Sequence, residues 1–181
     1  MKQHGFSLLE LMVTLGILAL ATAIAIPSFA RWLPNYRLRS AARDVYSNIH
    51  LCKLGAVRAN QSWAIVFDPG ANTYVIYSDS GDGDWTTTLD NTPEKTVNLA
   101  TYKSGVGFGH GNAGVPIATT FGDEVTYASP DNVAVFNARG TSNGGYVYID
   151  HERNTTTYGI GTSTTGVIQL QKYNSSINDW E

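Results

Sequence analysis

The 181-residue sequence predicts an α+β fold, a long bent N-terminal helix packed on an antiparallel β-sheet head. Three observations carry this expectation. An apolar run at the N-terminus continues into an amphipathic stripe of helical period, short segments beyond residue 60 alternate apolar and polar residues, and clusters of Gly, Asn, Ser and Thr separate those segments.

Residues 1–5, MKQHG, form a short polar leader with one lysine. From Phe6 to Ile26 the run FSLLELMVTLGILALATAIAI contains Glu10 as its only charge. At about 1.5 Å per residue it matches the roughly 30 Å hydrocarbon thickness of a bilayer, so residues 6–27 read as a transmembrane helix. Pro27 and Pro34 each remove a backbone donor and are expected to kink or locally melt the helix. Residues 28–60 then place Leu38, Ala41, Val45, Ile49, Cys52, Ala56 and Ala59 at spacings of three or four, one apolar stripe that must lie on a partner surface. That partner is the head, residues 61–181. SWAIVFDPGANTYVIYS reads as a hairpin about Asp68-Pro69-Gly70. KTVNLATY, NVAVFNA, GYVYID, TTTYGI and GVIQLQKY alternate in the same way, and one antiparallel sheet is the economical arrangement.

Charge divides the chain. Residues 28–60 carry six basic groups against Asp44 alone, whereas residues 61–181 carry five against thirteen acids. An acidic head opposes nonspecific binding of nucleic acid. The single cysteine, Cys52, excludes an intrachain disulfide.

Two readings of the N-terminus compete. A lysine, an apolar run and the A-x-A sites at ATA and AIA also describe an ordinary cleaved signal peptide, as a periplasmic binding protein would have. That reading gives Glu10 no purpose, although a carboxylate at bilayer depth costs about 2.5–3.5 kcal/mol. Snorkelling toward the headgroups is the bland alternative for Glu10.

Gly5-Phe6, then SLLELM with Glu10 the fifth residue after the glycine, then the apolar run and Pro27, resembles the prepilin signature of type IV pilins and type II secretion pseudopilins. The resemblance implies cleavage between Gly5 and Phe6 by prepilin peptidase on the cytoplasmic side and N-methylation of Phe6. It further implies filament assembly in which Glu10 meets the new amine of a neighbour's Phe6, a pair that neutralises two poorly solvated charges and favours one axial stagger. RLRSAARDVYSNIHLCKLGAVRANQSWAIVFDP is similar to the stretch that marks the GspH/FimT group of minor pilins and minor pseudopilins, with looser similarity in VFNARGTSNGGYVYI and YGIGTSTTGVIQL. A non-enzymatic structural subunit is therefore expected, single-pass in a bacterial inner membrane with its head in the periplasm, then in a type IV pilus or type II secretion filament. The implied partners are other pilins or pseudopilins through the N-terminal helix, the peptidase, the inner-membrane assembly platform, and membrane lipid before assembly. Some members of the group are DNA-uptake receptors that use arginines in a G-R-x-R element of the last hairpin. Here Gly166-Val167-Ile168-Gln169 stands in its place, so that activity is not carried over.

Other constellations are weaker. SDSGDGDWTTTLD, residues 78–90, makes Asp79, Asp82 and Asp84 candidate calcium ligands, with Asp90 nearby. Glycines at 81 and 83 replace EF-hand ligands, and a solvated acidic turn is the competing reading; no other cofactor is implied. GHGNAG, residues 109–114, matches G-x-G-x-x-G but is followed by VPIATTF, so it reads as a loop without a phosphate cradle. Asp150, His151 and Glu152 are adjacent and read as a solvated strand end. His50 reads as a surface residue and Cys52 as a core residue of the helix.

Four arginines, Arg31, Arg37, Arg39 and Arg43, follow the apolar run against Lys2 before it. The positive-inside rule alone would leave them in the cytoplasm, whereas the prepilin resemblance puts the leader there. Processing decides between these readings. Gly5→Val is expected to leave the precursor uncut in the inner membrane, and mass spectrometry of the mature wild type is expected to find N-methyl-Phe6. An N-terminus at Ile24 or Ile26 would establish the signal peptide instead.

Overall fold

The structure, a computed structural model, describes residues 7–181 apart from 80, 82, 86–90, 103–104, 118–120, 122, 129 and 154–155, with only the backbone described at 28 and 31. One helix, α1 (Leu8–Ala59), runs through both prolines without interruption. Each proline deletes a single i→i−4 bond, and the ladder on either side holds the helical path, so the expected local melting does not occur. Asn60 ends the helix in the left-handed conformation at φ 53°, with its N–H donating to the Ala56 carbonyl.

Among the described residues nine strands follow: β1 (Trp63–Asp68), β2 (Thr73–Ser78), β3 (Thr92–Asn98), β4 (Val106–Phe108), β5 (Val133–Phe136), β6 (Gly145–His151), β7 (Tyr158–Thr162), β8 (Ile168–Asn174) and β9 (Asp179–Trp180). They form two antiparallel sheets, β3-β2-β1-β5 and β4-β6-β7-β8-β9, rather than the single sheet expected. Alternation in sequence reports which face a residue takes, and it is silent on which strands share a sheet. Leu99–Tyr102, expected to extend the third strand, is a 3-10 turn that delivers the chain from β3 to β4 across the gap between sheets.

The β1–β2 hairpin pairs Trp63 with Ser78 through Asp68 with Thr73, as its turn residues predict. The Asp68 carboxylate accepts the Ala71 N–H at 3.0 Å, and Asn72 sits at φ 52°. Asn72 also joins the two sheets. Its side-chain oxygen accepts the Phe108 N–H at 3.0 Å, and its carbonyl accepts the Leu99 N–H at 2.9 Å.

Both sheets close on the same helix stripe. Leu38, Ala41, Ala42, Val45, Ile49, Cys52 and Ala56 are fully or almost fully buried in one cluster with Ile65, Phe67, Tyr74, Ile76 and Phe136 of the first sheet and Val147, Ile149 and Ile160 of the second. Burying each large aliphatic side chain contributes about 1.5–3 kcal/mol. Four of the seven helix positions are alanine or cysteine, which lets strand backbones approach. At Gly55 an added Cβ would lie 2.5 Å from the Trp63 ring, so glycine there lets the indole lie against the helix. The opposite face of the first sheet forms a smaller core, with Trp85 covering Ala64 and Val133.

Polar ties set the helix against the sheets. The buried Asn48 amide donates to the Tyr74 hydroxyl at 2.6 Å, Lys95 donates to the Asn48 oxygen at 2.8 Å, and the Tyr102 hydroxyl donates to Asp44. Burial pushes the Tyr74 hydroxyl up to about 12. At the far end Lys53 donates to the Gly166 carbonyl at 2.9 Å. Tyr74→Phe would strand the buried Asn48 amide donor at a cost of about 1–3 kcal/mol. Thermal unfolding of the detergent-solubilised full chain is expected to show a lower Tm for this variant, with the folded circular dichroism spectrum unchanged.

Candidate functional site

The helix presents two environments. Leu8–Pro27 has a mean hydropathy of 2.2 and none of it is buried within the chain, whereas the distal half is core on one side. Such an uncovered apolar surface demands lipid or other helices. The polar side chains within it are few. Thr14 donates to the Leu11 carbonyl at 2.9 Å and Thr22 to the carbonyls of Leu18 and Ala19, both at 2.9 Å, so both hydroxyls are satisfied by their own helix. Glu10 stands exposed in the first turn, where the helix dipole favours an anion. Gly5 and Phe6 lie outside the described residues.

Immediately beyond the span, Phe29, Trp32 and Tyr36 form an exposed aromatic ladder. Ring centroids are 5.7 Å apart for Phe29–Trp32 and 5.1 Å for the stacked Trp32–Tyr36 pair. Aromatic side chains of this amphipathic type gather at membrane–water boundaries. Their spacing of three and four was readable in the sequence, yet the apolar stripe on the opposite side had absorbed the periodic signal. Arg39 and Arg43 continue the spacing, and Leu51, Leu54 and Val57 are exposed farther on. Beside this last patch a groove of about 780 Å³ runs between the helix and edge strand β3, lined by His50, Trp63 and Lys95 among others. His50 is thus only half a surface residue. It packs edge-on against Tyr46 at 4.7 Å, and burial with nearby Lys53 lowers its pKa.

Of the calcium candidates, the Asp79 carboxylate accepts the Gly81 N–H at 2.6 Å, Asp84 is exposed, and Asp82 lies outside the described residues, as does Asp90. Among the described residues no three His, Cys, Asp or Glu side chains gather into a metal-holding group. Residues 109–114 form a loop, as expected. Cys52 is a core residue whose thiol burial pushes strongly upward in pKa.

The expected solvated strand end at 150–152 holds for Glu152, which is exposed, and fails for the two residues before it. His151 is only 3% exposed, with Nδ1 accepting the Arg153 N–H at 3.0 Å, and Asp150 is half-buried against the loop, its carboxylate about 3 Å from where a Cβ on Gly109 or Gly111 would stand. The missing side chains of those glycines allow the loop to close over the strand, which sequence alternation cannot foresee.

Within this geometry the likeness to known proteins is specific. Residues 41–166 match the family described as type II transport protein GspH. The chain belongs to the GspH family. Residues 1–26 match the prokaryotic N-terminal methylation motif, so the resemblance read from GFSLLELM is borne out. The pilin-like protein PilA1 of Thermus thermophilus is 35% identical over 81 residues, and the chain spans about half the length of this curated relative. Among solved structures, the type IV minor pilin FimU of Pseudomonas aeruginosa matches with TM-score 0.54 and 15% identity, covering 83% of this chain and 96% of FimU. The minor pseudopilin EpsH of the Vibrio cholerae type 2 secretion system matches with TM-score 0.51 and 12% identity, covering 74% of this chain and 95% of EpsH. These two likenesses establish the fold: an N-terminal helix on antiparallel sheets, as in minor pilins and pseudopilins.

One titration follows from the corrected strand end. Burial raises the Asp150 pKa first, Glu124 adds to it, and His110 and His151 pull the other way without cancelling it. A carboxyl whose folded pKa lies above its unfolded value of about 3.9 costs nothing when protonated in both states. Its penalty sets in as the pH rises through the unfolded value and is complete above the raised one. Asp150→Asn is therefore expected to raise the Tm at neutral pH and to lose that advantage below about pH 4, a crossover measurable in thermal melts across pH.

Proposed function

We propose that this GspH-family chain is a non-enzymatic minor subunit of a type IV pilus or type II secretion filament. In this reading residues 1–5 are a leader removed by prepilin peptidase after Gly5, and Phe6 becomes the methylated N-terminus. Residues 6–27 anchor the subunit in the inner membrane before assembly, residues 28–60 carry the head, and residues 61–181 form that head in the periplasm. The observation that carries the reading is the composition of one continuous helix. Its first 20 residues are apolar and uncovered with an acid in the first turn, and its second half is the core of the folded head.

Such a subunit needs two successive environments for the same apolar surface. Lipid covers it first, and the helices of other pilins or pseudopilins cover it after extraction by the assembly platform. A carboxylate is tolerated in the first environment and useful in the second, where the amine of a neighbour's Phe6 supplies its counter-charge. DNA uptake is less well supported. The head is acidic, and the turn from β7 to β8 holds Gly166 at φ +79°, an added Cβ being 1.9 Å from the Gly140 carbonyl, with no arginine from Gly166 to Gln169.

Glu10→Val tests the reading. Insertion is expected to be unchanged or favoured by at most about 2.5–3.5 kcal/mol. The variant is expected to be cleaved, stable and membrane-resident but depleted from sheared filament fractions in immunoblots. Wild-type abundance in those fractions would reduce Glu10 to a snorkelling acid in a plain anchor.

A further inference from the structure

A second charged feature lies where the helix meets the end of the second sheet. Arg39 and Arg43, one helical turn apart, share a notch of about 350 Å³ with Lys172 of β8 and with Tyr158, Gln171 and Glu181. Like charges at this helical spacing repel, and neither guanidinium has a hydrogen bond or ion pair among the described residues. Among the described residues Glu181 supplies the one acidic side chain lining the notch, and it sits 4.0 Å from the Lys172 amine. Basic side chains therefore outnumber acidic ones at the opening. The Gln171 side-chain oxygen is buried at its wall without a partner.

We propose that this notch is a docking site for an acidic loop on the head of the adjacent filament subunit. The proposal rests on the filament reading above and adds a contact between heads to the contact between helices. Two forked donors one turn apart suit carboxylates, which each guanidinium can bind in bidentate fashion. Position separates a protein partner from a lipid one. Arg39 lies twelve residues beyond Pro27, about 18 Å along the helix axis. The headgroup layer beyond the hydrocarbon is only about 5–8 Å thick, and Phe29 and Trp32 occupy that depth. The arginines stand above it.

Charge complementarity names the occupant. Beyond residue 60 this chain carries thirteen acids against five bases, and Asp68, Asp84, Asp123 and Asp131 are exposed. An adjacent subunit whose head carries acids as this one does presents them to the cations near this chain's stalk, head to tail. Such heterologous contacts propagate along a filament instead of closing on themselves.

The test uses the full-length chain in assembling cells. Arg39→Glu/Arg43→Glu is expected to be processed and membrane-resident at wild-type levels but to fall at least about tenfold in sheared filaments, because it sets like charges face to face. Arg39→Lys/Arg43→Lys, which keeps the charge, is expected to stay within about twofold of wild type. A photo-reactive p-benzoylphenylalanine at Tyr158 is expected to cross-link to an Asp- or Glu-rich peptide of a filament subunit, and the charge reversal is expected to abolish that adduct. Incorporation of the reversed variant at wild-type level overturns the proposal. So does an adduct with phospholipid, an adduct with a peptide lacking acids, or no adduct. If the wild-type chain itself is missing from filaments, the filament reading falls; if Glu10→Val is excluded while the reversed variant assembles, only the notch falls.

Discussion

The rest of the structure depends on one constraint: a single helix stripe, Leu38 to Ala56, must fill the interior of two sheets at once. Among the described residues neither sheet has another α-helix to cover its inner face. The head is consequently built around the helix, so that withdrawing the helix would open both sheets to water. This explains why small residues are interspersed with Leu, Val and Ile along the stripe, since a uniformly large stripe would hold the sheets apart. It also explains why the helix must continue in register beyond Pro34, whatever the span below it is doing.

Polar groups fix what the apolar stripe leaves free. Apolar contacts permit sliding and rotation, whereas Asn48–Tyr74, Asp44–Tyr102 and Lys53–Gly166 each define one azimuth and one height for the helix. Asn72 does the equivalent between the sheets, because a turn residue of the first sheet accepts a backbone donor of the second. The head is thus pinned at its seams by polar groups and filled by apolar ones.

Much of this was legible in the sequence. The helix stripe, the β1–β2 hairpin and five further strands follow from period and turn chemistry, and Glu10 draws attention because an apolar run has no local use for a charge. What was illegible has physical reasons. Val106-Gly107-Phe108 and Asp179-Trp180 are too short to show alternation and become strands only because β6 and β8 offer edges. His151 is polar in type yet buried, because Gly105 lies against its ring, where an added Cβ would stand 2.6 Å from Cε1. The basic notch needs Lys172 beside Arg39 and Arg43, a juxtaposition across more than a hundred residues that no spacing rule can give.

The threonines of the span have a consequence for motion. With Thr14 and Thr22 turned back on their own carbonyls, the described part of Leu8–Pro27 offers neighbouring helices a smooth apolar rod with one outward-reaching polar side chain, Glu10. A smooth rod can glide and spin among lipid tails or sister helices with little friction, and under the proposed function it would be arrested only where its single tooth engages. In the proposed filament such a part would work as a latch bolt: free along most of its travel, locked at one depth, and released again by uncoupling one pair of charges.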